Sequence, residues 1–234
     1  WAKTLDLCLR QKHRAGEKLF LDYAGESLWL TDPATGTRTP VALFVAVLGA
    51  SNYTYAEASR AADLPAWTAS HVCAFEYFGG VTAALIPDNH KSAVLHPDRY
   101  EPDLHPTYLD LAAHYGTTIL PARPAAARDK GKVEQGGVHY VTRNCVAGRA
   151  FRDVHDANGH ALRGCLETAG RRLHGTIKQQ PLVLFETVER VALLPLPPTP
   201  WLPVTWKQAK LHPDCHVVFA GAYYSAPHRL IGQR

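Results

Sequence analysis

The sequence predicts an α/β fold: a mixed five-stranded sheet with flanking helices, followed by the start of a small β-barrel-like domain. Three observations carry this. Closely spaced strand patterns fill the first quarter of the chain, helix and short-strand patterns alternate through the middle, and strand patterns return after a proline-rich run. Antiparallel strands tolerate short turns, whereas alternating helix and strand implies parallel pairing by crossover.

In chain order, Lys18 to Tyr23 alternates apolar and polar, and Ser27 to Thr31 follows. Asp32-Pro33-Ala34-Thr35-Gly36 is a turn by composition. Val41 to Leu48 is continuously apolar, the pattern of a central strand buried on both faces. Tyr53 to Glu57 extends or follows it. Pro65 opens a helix with Trp67, Val72, Phe75 and Phe78 on one side, and Gly79-Gly80 closes it. Val81 to Ile86 is a short apolar strand leading into Pro87-Asp88-Asn89. Pro106 opens a second helix carrying Tyr108, Leu111, Ala112 and Tyr115, which Gly116 stops before the strand Thr117 to Leu120. After the loop Pro121 to Ala127, Val133, Gly137, Val141 and Cys145 recur at helical spacing. Asp153 caps a helix carrying Val154, Ala161, Cys165, Ala169 and Leu173, and Pro181 starts a shorter one with Leu184, Phe185 and Val188. This order matches the mixed sheet of the ribonuclease H-like fold.

The expected domains are 1–15, a linker or helix end from something upstream; 16–194, the ribonuclease H-like core; 195–200, a stiff proline-rich linker; and 201–234, an incomplete β domain. In the last, His216 to Phe219 and Tyr223 to Ala226 flank a hairpin turn at Ala220-Gly221-Ala222. The lack of methionine and the ending just after a strand pattern suggest a chain cut at both ends. No apolar run approaches the ~20 residues of a membrane helix. Five widely spaced cysteines without a C-x-x-C suggest neither a disulfide framework nor a zinc ribbon, so a reducing cytoplasm is expected. The net charge of +4 permits a nucleic-acid partner without requiring one.

Three carboxylates stand out by position. Asp22 sits inside an apolar strand, where aspartate is disfavoured and an unpaired buried carboxylate costs several kcal/mol. Asp88 follows a strand of the alternating region, where parallel strands present residues to a ligand crevice. Glu134 lies on the helix after the last strand, beside Val133 and near Lys130 and Lys132. If they converge, their mutual repulsion points to a bound cation, and magnesium takes such oxygen donors. With 21 acidic residues in the chain, three unrelated surface or capping acids fit the pattern as well.

Longer strings are more specific. Lys18-Leu19-Phe20-Leu21-Asp22-Tyr23-Ala24-Gly25, Phe44 to Tyr55, Phe75-Glu76-Tyr77-Phe78-Gly79-Gly80 and Pro87-Asp88-Asn89-His90-Lys91-Ser92-Ala93-Val94 stand in this order. Pro106-Thr107-Tyr108, His114-Tyr115-Gly116, Pro121-Ala122-Arg123-Pro124 and Arg128-Asp129-Lys130-Gly131-Lys132-Val133-Glu134 follow. His174-Gly175-Thr176, Pro195-Leu196-Pro197 and Tyr223 to Pro227 complete the set. Together they resemble the integrase core of IstA-type insertion-sequence transposases, from about Gly16 to Arg234. That resemblance implies a DDE triad at Asp22, Asp88 and Glu134, the last two 46 positions apart. It implies two Mg2+ (or Mn2+) ions, cleavage of transposon ends and joining of the freed 3′-hydroxyls to target DNA. It also implies an AAA+ helper ATPase, a homodimer or higher oligomer on DNA, an upstream helix-turn-helix region, and a bacterial cytoplasmic location, at the nucleoid when acting. His90 departs from the apolar residue expected there, and Gly136-Gly137 weakens the helix after Glu134 by about 1 kcal/mol per glycine.

Lys91, Arg123, Arg128, Lys130, Lys132 and Arg143 are candidate phosphate contacts, against the plainer reading of a solvated face. Trp29, Trp67, Trp201 and Trp206 are expected in the core or at interfaces. His212-Pro213-Asp214-Cys215-His216 lacks the partner motif of a zinc site. Two other functions remain open at this stage: a ribonuclease H-like nuclease without strand transfer, and a catalytically silent DNA-binding scaffold.

Overall fold

The computed structural model describes residues 12–24, 28–88, 94–96, 103–121, 137–204 and 208–232. It divides into two compact units at the Leu202–Pro203 junction. In the first unit, β1 (Lys18–Tyr23) pairs antiparallel with β3 (Arg38–Leu48) and parallel with β5 (Ala84–Pro87). β8 (Thr118–Ile119) extends the sheet parallel to β5. The long β3 also pairs with β2 (Leu28–Thr31) and β4 (Thr54–Ser59). The sheet therefore has six strands, where five are expected. β2 takes Arg38–Val41 of β3, next to the stretch Phe44–Leu48 taken by β1. β1 and β2 thus follow one another along β3 as a single interrupted strand, giving five tiers. A two-stranded hairpin, β6 (Val94–His96) with β7 (Asp103–Leu104), lies apart from this sheet and carries no strand signal in the sequence.

The turns and caps follow local chemistry. The β2–β3 turn closes with the Asp32 carboxylate accepting from the Ala34 amide at 2.8 Å and Gly36 at φ 68°. Helix α1 (Leu64–Phe78) starts at Asp63, whose side chain accepts from the Ala66 amide at 3.0 Å, a cap worth about 1 kcal/mol. It ends at Gly79 in the left-handed region. Helix α2 (Pro106–Tyr115) ends the same way at Gly116.

Strand alternation divides the core into two layers. Leu19 and Leu21 of β1, with Phe44, Ala46 and Leu48 of β3, pack under α1 and α2 against Trp67, Phe75, Tyr108 and Leu111. On the other face, Leu43, Val45 and Val47 meet Val141, Cys145, Ala157, Ala161 and Cys165. These come from α3 (His139–Val141), extended by wider π-helical turns over Thr142–Val146, and from α4 (Val154–Arg163), extended likewise over Gly164–Ala169. Asp153 caps α4 through the Asp156 amide at 2.8 Å.

Some expected positions differ. Leu173 is 74% exposed, because the helix ends at Ala169 after its widened turns have shifted the phase of the stripe. Val188 is exposed because the inner face of α5 (Pro181–Leu184) and its π-helical continuation Phe185–Glu189 carries Pro181, Phe185 and Glu189. Trp67 and Trp201 are buried, and the Trp201 indole donates to Asp110 at 2.9 Å. Trp29 is instead half exposed, with the Arg38 guanidinium over its ring at 4.9 Å. Trp206 lies outside the described residues.

The second unit contains a hairpin of β9 (His216–Phe219) and β10 (Ala222–Ser225), turned by Ala220 and Gly221 at φ 50° and 80°. Two successive left-handed residues suit the twist of a tight hairpin. In this unit Asp214 lies 3.3 Å from His212 and 3.8 Å from His216.

Candidate active site

Asp22 occupies the next-to-last position of β1, paired across to Val45 of β3. Its neighbours fix it. Leu21 is fully buried under α1, and the Tyr23 ring packs 5.3 Å from Trp67 and 5.8 Å from Phe44. Both neighbours point to the face opposite Asp22. Burial, then the charges of Asp63 and Glu57, hold the Tyr23 hydroxyl protonated far above its usual range. The backbone around Asp22 is thus clamped from behind by an aromatic core.

Asp88 comes directly after β5. The register of β1 with β5 pairs Phe20 with Ile86 and Leu21 with Pro87, and the Asp88 amide donates to the Leu21 carbonyl at 2.9 Å. The next step along both strands sets Asp22 beside Asp88. Each stands two residues beyond Phe20 or Ile86, which cluster on one face, so both carboxylates leave the sheet on that face. Both residues are half buried, at the C-terminal ends of adjacent parallel strands, where open α/β sheets present ligand sites.

The helical segment leading into α3 closes over the same face. Val138 packs against Phe20 and Ile86. Gly137 is buried so closely on β3 that an added Cβ would overlap Val47 Cγ2 and touch Val45. The sequence reading of this glycine as a helix weakener needs correction: its missing side chain lets the segment lie directly on the strand that flanks Asp22. Glu134, Lys91, Arg123, Arg128, Lys130 and Lys132, with His90 and Gly136, lie outside the described residues. Arg143 is exposed on the turns after α3, away from buried Val141 and Cys145. Among the described residues, no group of three or more His, Cys, Asp or Glu side chains converges in a metal-holding cluster. No described helix is long and apolar enough to cross a membrane.

Sequence reasoning missed Glu189. It is fully buried, and its two carboxylate oxygens accept from the Ala50 and Ser51 amides at 3.1 and 2.7 Å. It ties the β3–β4 turn to the last helix, a structural task. The only available signal is its place on the stripe of Pro181 and Phe185, four residues from each neighbour.

Relatives match the sequence over nearly its whole length. The chain is 44% identical over 229 residues to a protein of Sinorhizobium fredii (strain NBRC 101917 / NGR234) named as transposase y4bL/y4kJ/y4tB, covering 97% of this chain and 44% of that protein. It is 42% identical over 235 residues to one of Pseudomonas fluorescens named as transposase for insertion sequence IS1162, covering all of this chain and 42% of that protein. The chain belongs to the insertion-sequence transposase family. The transposase of IS21 from Pseudomonas aeruginosa is a more distant member, 32% identical over 85% of this chain and 50% of its own. The chain thus spans about half or less of the length of these relatives. Residues 196–234 match the Mu transposase C-terminal domain. Among solved structures, a chain of the simian T-cell lymphotropic virus intasome in complex with PP2A regulatory subunit B56 gamma superposes with a TM-score of 0.54 at 15% identity, covering 86% of this chain and 63% of that one. The shared fold is ribonuclease H-like, a mixed sheet between helices.

Proposed function

We propose that this transposase chain is a catalytic core that cleaves transposon ends and joins their 3′-hydroxyls to target DNA, with Asp22, Asp88 and Glu134 as its triad. The observation that carries the reading is the β1–β5 register, which sets two half-buried aspartates side by side on one face. Two adjacent carboxylates repel, and such hard oxygen donors suit Mg2+ or Mn2+. Glu134 stands three residues before Gly137, which rests on the strand flanking Asp22.

When bound, two divalent ions activate the attacking oxygen and stabilise the leaving one. The protein's own part is positioning. Asp22 is held by its clamped neighbours and Asp88 by its amide bond to Leu21. Glu134, three residues before Gly137 in the sequence, is proposed as the third carboxylate. No residue of the triad needs to form a covalent intermediate, because water and then the freed 3′-hydroxyl are the nucleophiles. Arg143, with Lys91, Arg123, Arg128, Lys130 and Lys132, contributes phosphate contacts. The core runs on through the proline-rich stretch 195–200 to Leu202, with Trp201 buried in it, and a C-terminal β domain follows. The partners are DNA, an AAA+ helper ATPase and at least one further copy of the protein, in the bacterial cytoplasm at the nucleoid.

The test is metal-dependent nicking and strand transfer on a labelled transposon-end duplex with the helper supplied, comparing the whole protein with Glu134→Gln. Reaction by the wild type and loss in the variant, with DNA binding retained, supports the triad. An equally active variant removes Glu134 from it.

A further inference from the structure

The helices that cover the aspartate face carry an unneutralised basic surface. From α3 to Lys178 the basic residues are Arg143, Arg149, Arg152, Arg163, Arg171, Arg172 and Lys178, against Asp153, Asp156 and Glu167. Two of these acids are already engaged. Asp153 caps α4, and Asp156 pairs with Arg152 at 3.8 Å and His160 at 3.7 Å. Arg143, Arg149 and Arg172 have no carboxylate within ion-pair distance among the described residues.

These three lie on or beside α3 and the turns that follow it. Arg172 lies flat on Tyr140, its guanidinium carbon 3.3 Å from the ring centroid. Its Nε is buried without a hydrogen-bond partner, so the terminal nitrogens are directed by stacking rather than by an acid. Arg149 follows the widened turns Thr142–Val146 by three residues. It meets the His160 ring at 3.5 Å. Arg143 is exposed on the widened turns three residues beyond Tyr140. Gly137 and Val138 begin this segment against Phe20, Val47 and Ile86, beside the aspartate pair. Arg143 stands six residues on from Gly137, between one and two helical turns away.

Resting on the transposase reading, we infer that Arg143, Arg149 and Tyr140-stacked Arg172 form a phosphate-backbone seat for the DNA strand adjoining the scissile phosphodiester. The seat is sequence-independent: three guanidiniums meet successive phosphates, and the stack holds Arg172 in place before DNA arrives. Arg and Lys are not equivalent there, because the planar stack is what orients the donor.

The test is fluorescence anisotropy of the whole protein with a short labelled duplex of arbitrary sequence, across a KCl series. Replacing all three arginines by glutamine lowers the slope of log K against log salt by about 2 to 3, at about 0.9 per lost phosphate. Arg172→Lys keeps the slope and weakens binding by a few fold, while Glu167→Gln, at an exposed acid on α4's extension, changes neither. Should the triple variant misfold by circular dichroism, each single variant still lowers the slope by about 0.9. Unchanged slopes in folded variants overturn the proposal. Asp88→Asn separates it from the catalytic reading: it stops nicking but leaves the salt slope intact.

Discussion

The two faces of the central sheet are built from different materials. Under α1 and α2 the layer is aromatic and closed: Trp67, Phe75 and Tyr108 are fully buried, and Phe44, Trp67, His71 and Tyr108 pack edge to face or tilted at 4.8–6.2 Å. Under α3 and α4 the contacts are small: Gly137 on Val47, Gly164 on Cys145, and Ala157, Ala161 and Cys165 on the strands. Large rings give area and rigidity, whereas small residues permit close backbone approach. The aspartates leave the sheet on the small-residue face, while Leu21 and Tyr23, which flank Asp22, are gripped by the aromatic one. One face supplies stability to the strand ends, and the other leaves room for chemistry.

This division makes separable predictions. Trp67→Ala empties the centre of the aromatic layer and lowers stability by about 3–5 kcal/mol, read by urea denaturation. An equal loss from Ala161→Gly on the other face would erase the distinction. Gly137→Ala lowers stability by a smaller amount, about 1–3 kcal/mol, since the new methyl must displace α3 from Val47. Its larger effect is on rate: a shift of about 1 Å in the segment that leads from Glu134 costs about a hundredfold in strand transfer. A variant losing stability and rate in proportion would contradict the idea that this glycine seats the active site.

The smallest effect is the pH response of the closed face. Burial lowers the pKa of His71 to about 4, against the raising effect of its Nδ1 bond to the Trp67 carbonyl at 2.7 Å. The ring stays neutral in the folded protein, with Nε2 left to accept from the Tyr108 hydroxyl at 3.0 Å. Below the ordinary histidine value near 6.5 the unfolded chain takes up a proton that the folded chain refuses. The contribution of His71 to stability is therefore whole above that pH and falls as pH drops towards 4. Between pH 7 and 5 the loss is about 2 kcal/mol. Subtracting the pH profile of His71→Gln from that of the wild type isolates this slope, and identical profiles would show that the imidazole is not protected.

Much of this was legible in the sequence because its causes are local. Pro65 and Gly79 mark both ends of α1, and the unbroken run Val41 to Leu48 declares a doubly covered strand. Asp22 was conspicuous because an acid interrupts an apolar strand. What escaped had distant causes. Glu189 bonds amides 138 and 139 residues away, so nothing near it shows that it is buried. Leu173 and Val188 keep helical spacing on paper, but the widened turns before them change which side faces inward. Gly137 reads as a weak point until the strand beneath it is known.

The most direct measurement is divalent-ion binding by the whole protein, followed by Mn2+ calorimetry and paired with single-turnover strand transfer, for wild type and Asp88→Asn. If Asp22 and Asp88 share a metal site, the variant keeps its melting temperature without metal, loses most of its Mn2+ affinity and slows strand transfer by at least about a hundredfold. Unchanged Mn2+ binding and rate in a folded Asp88→Asn would show that the neighbouring aspartates are not the reaction centre.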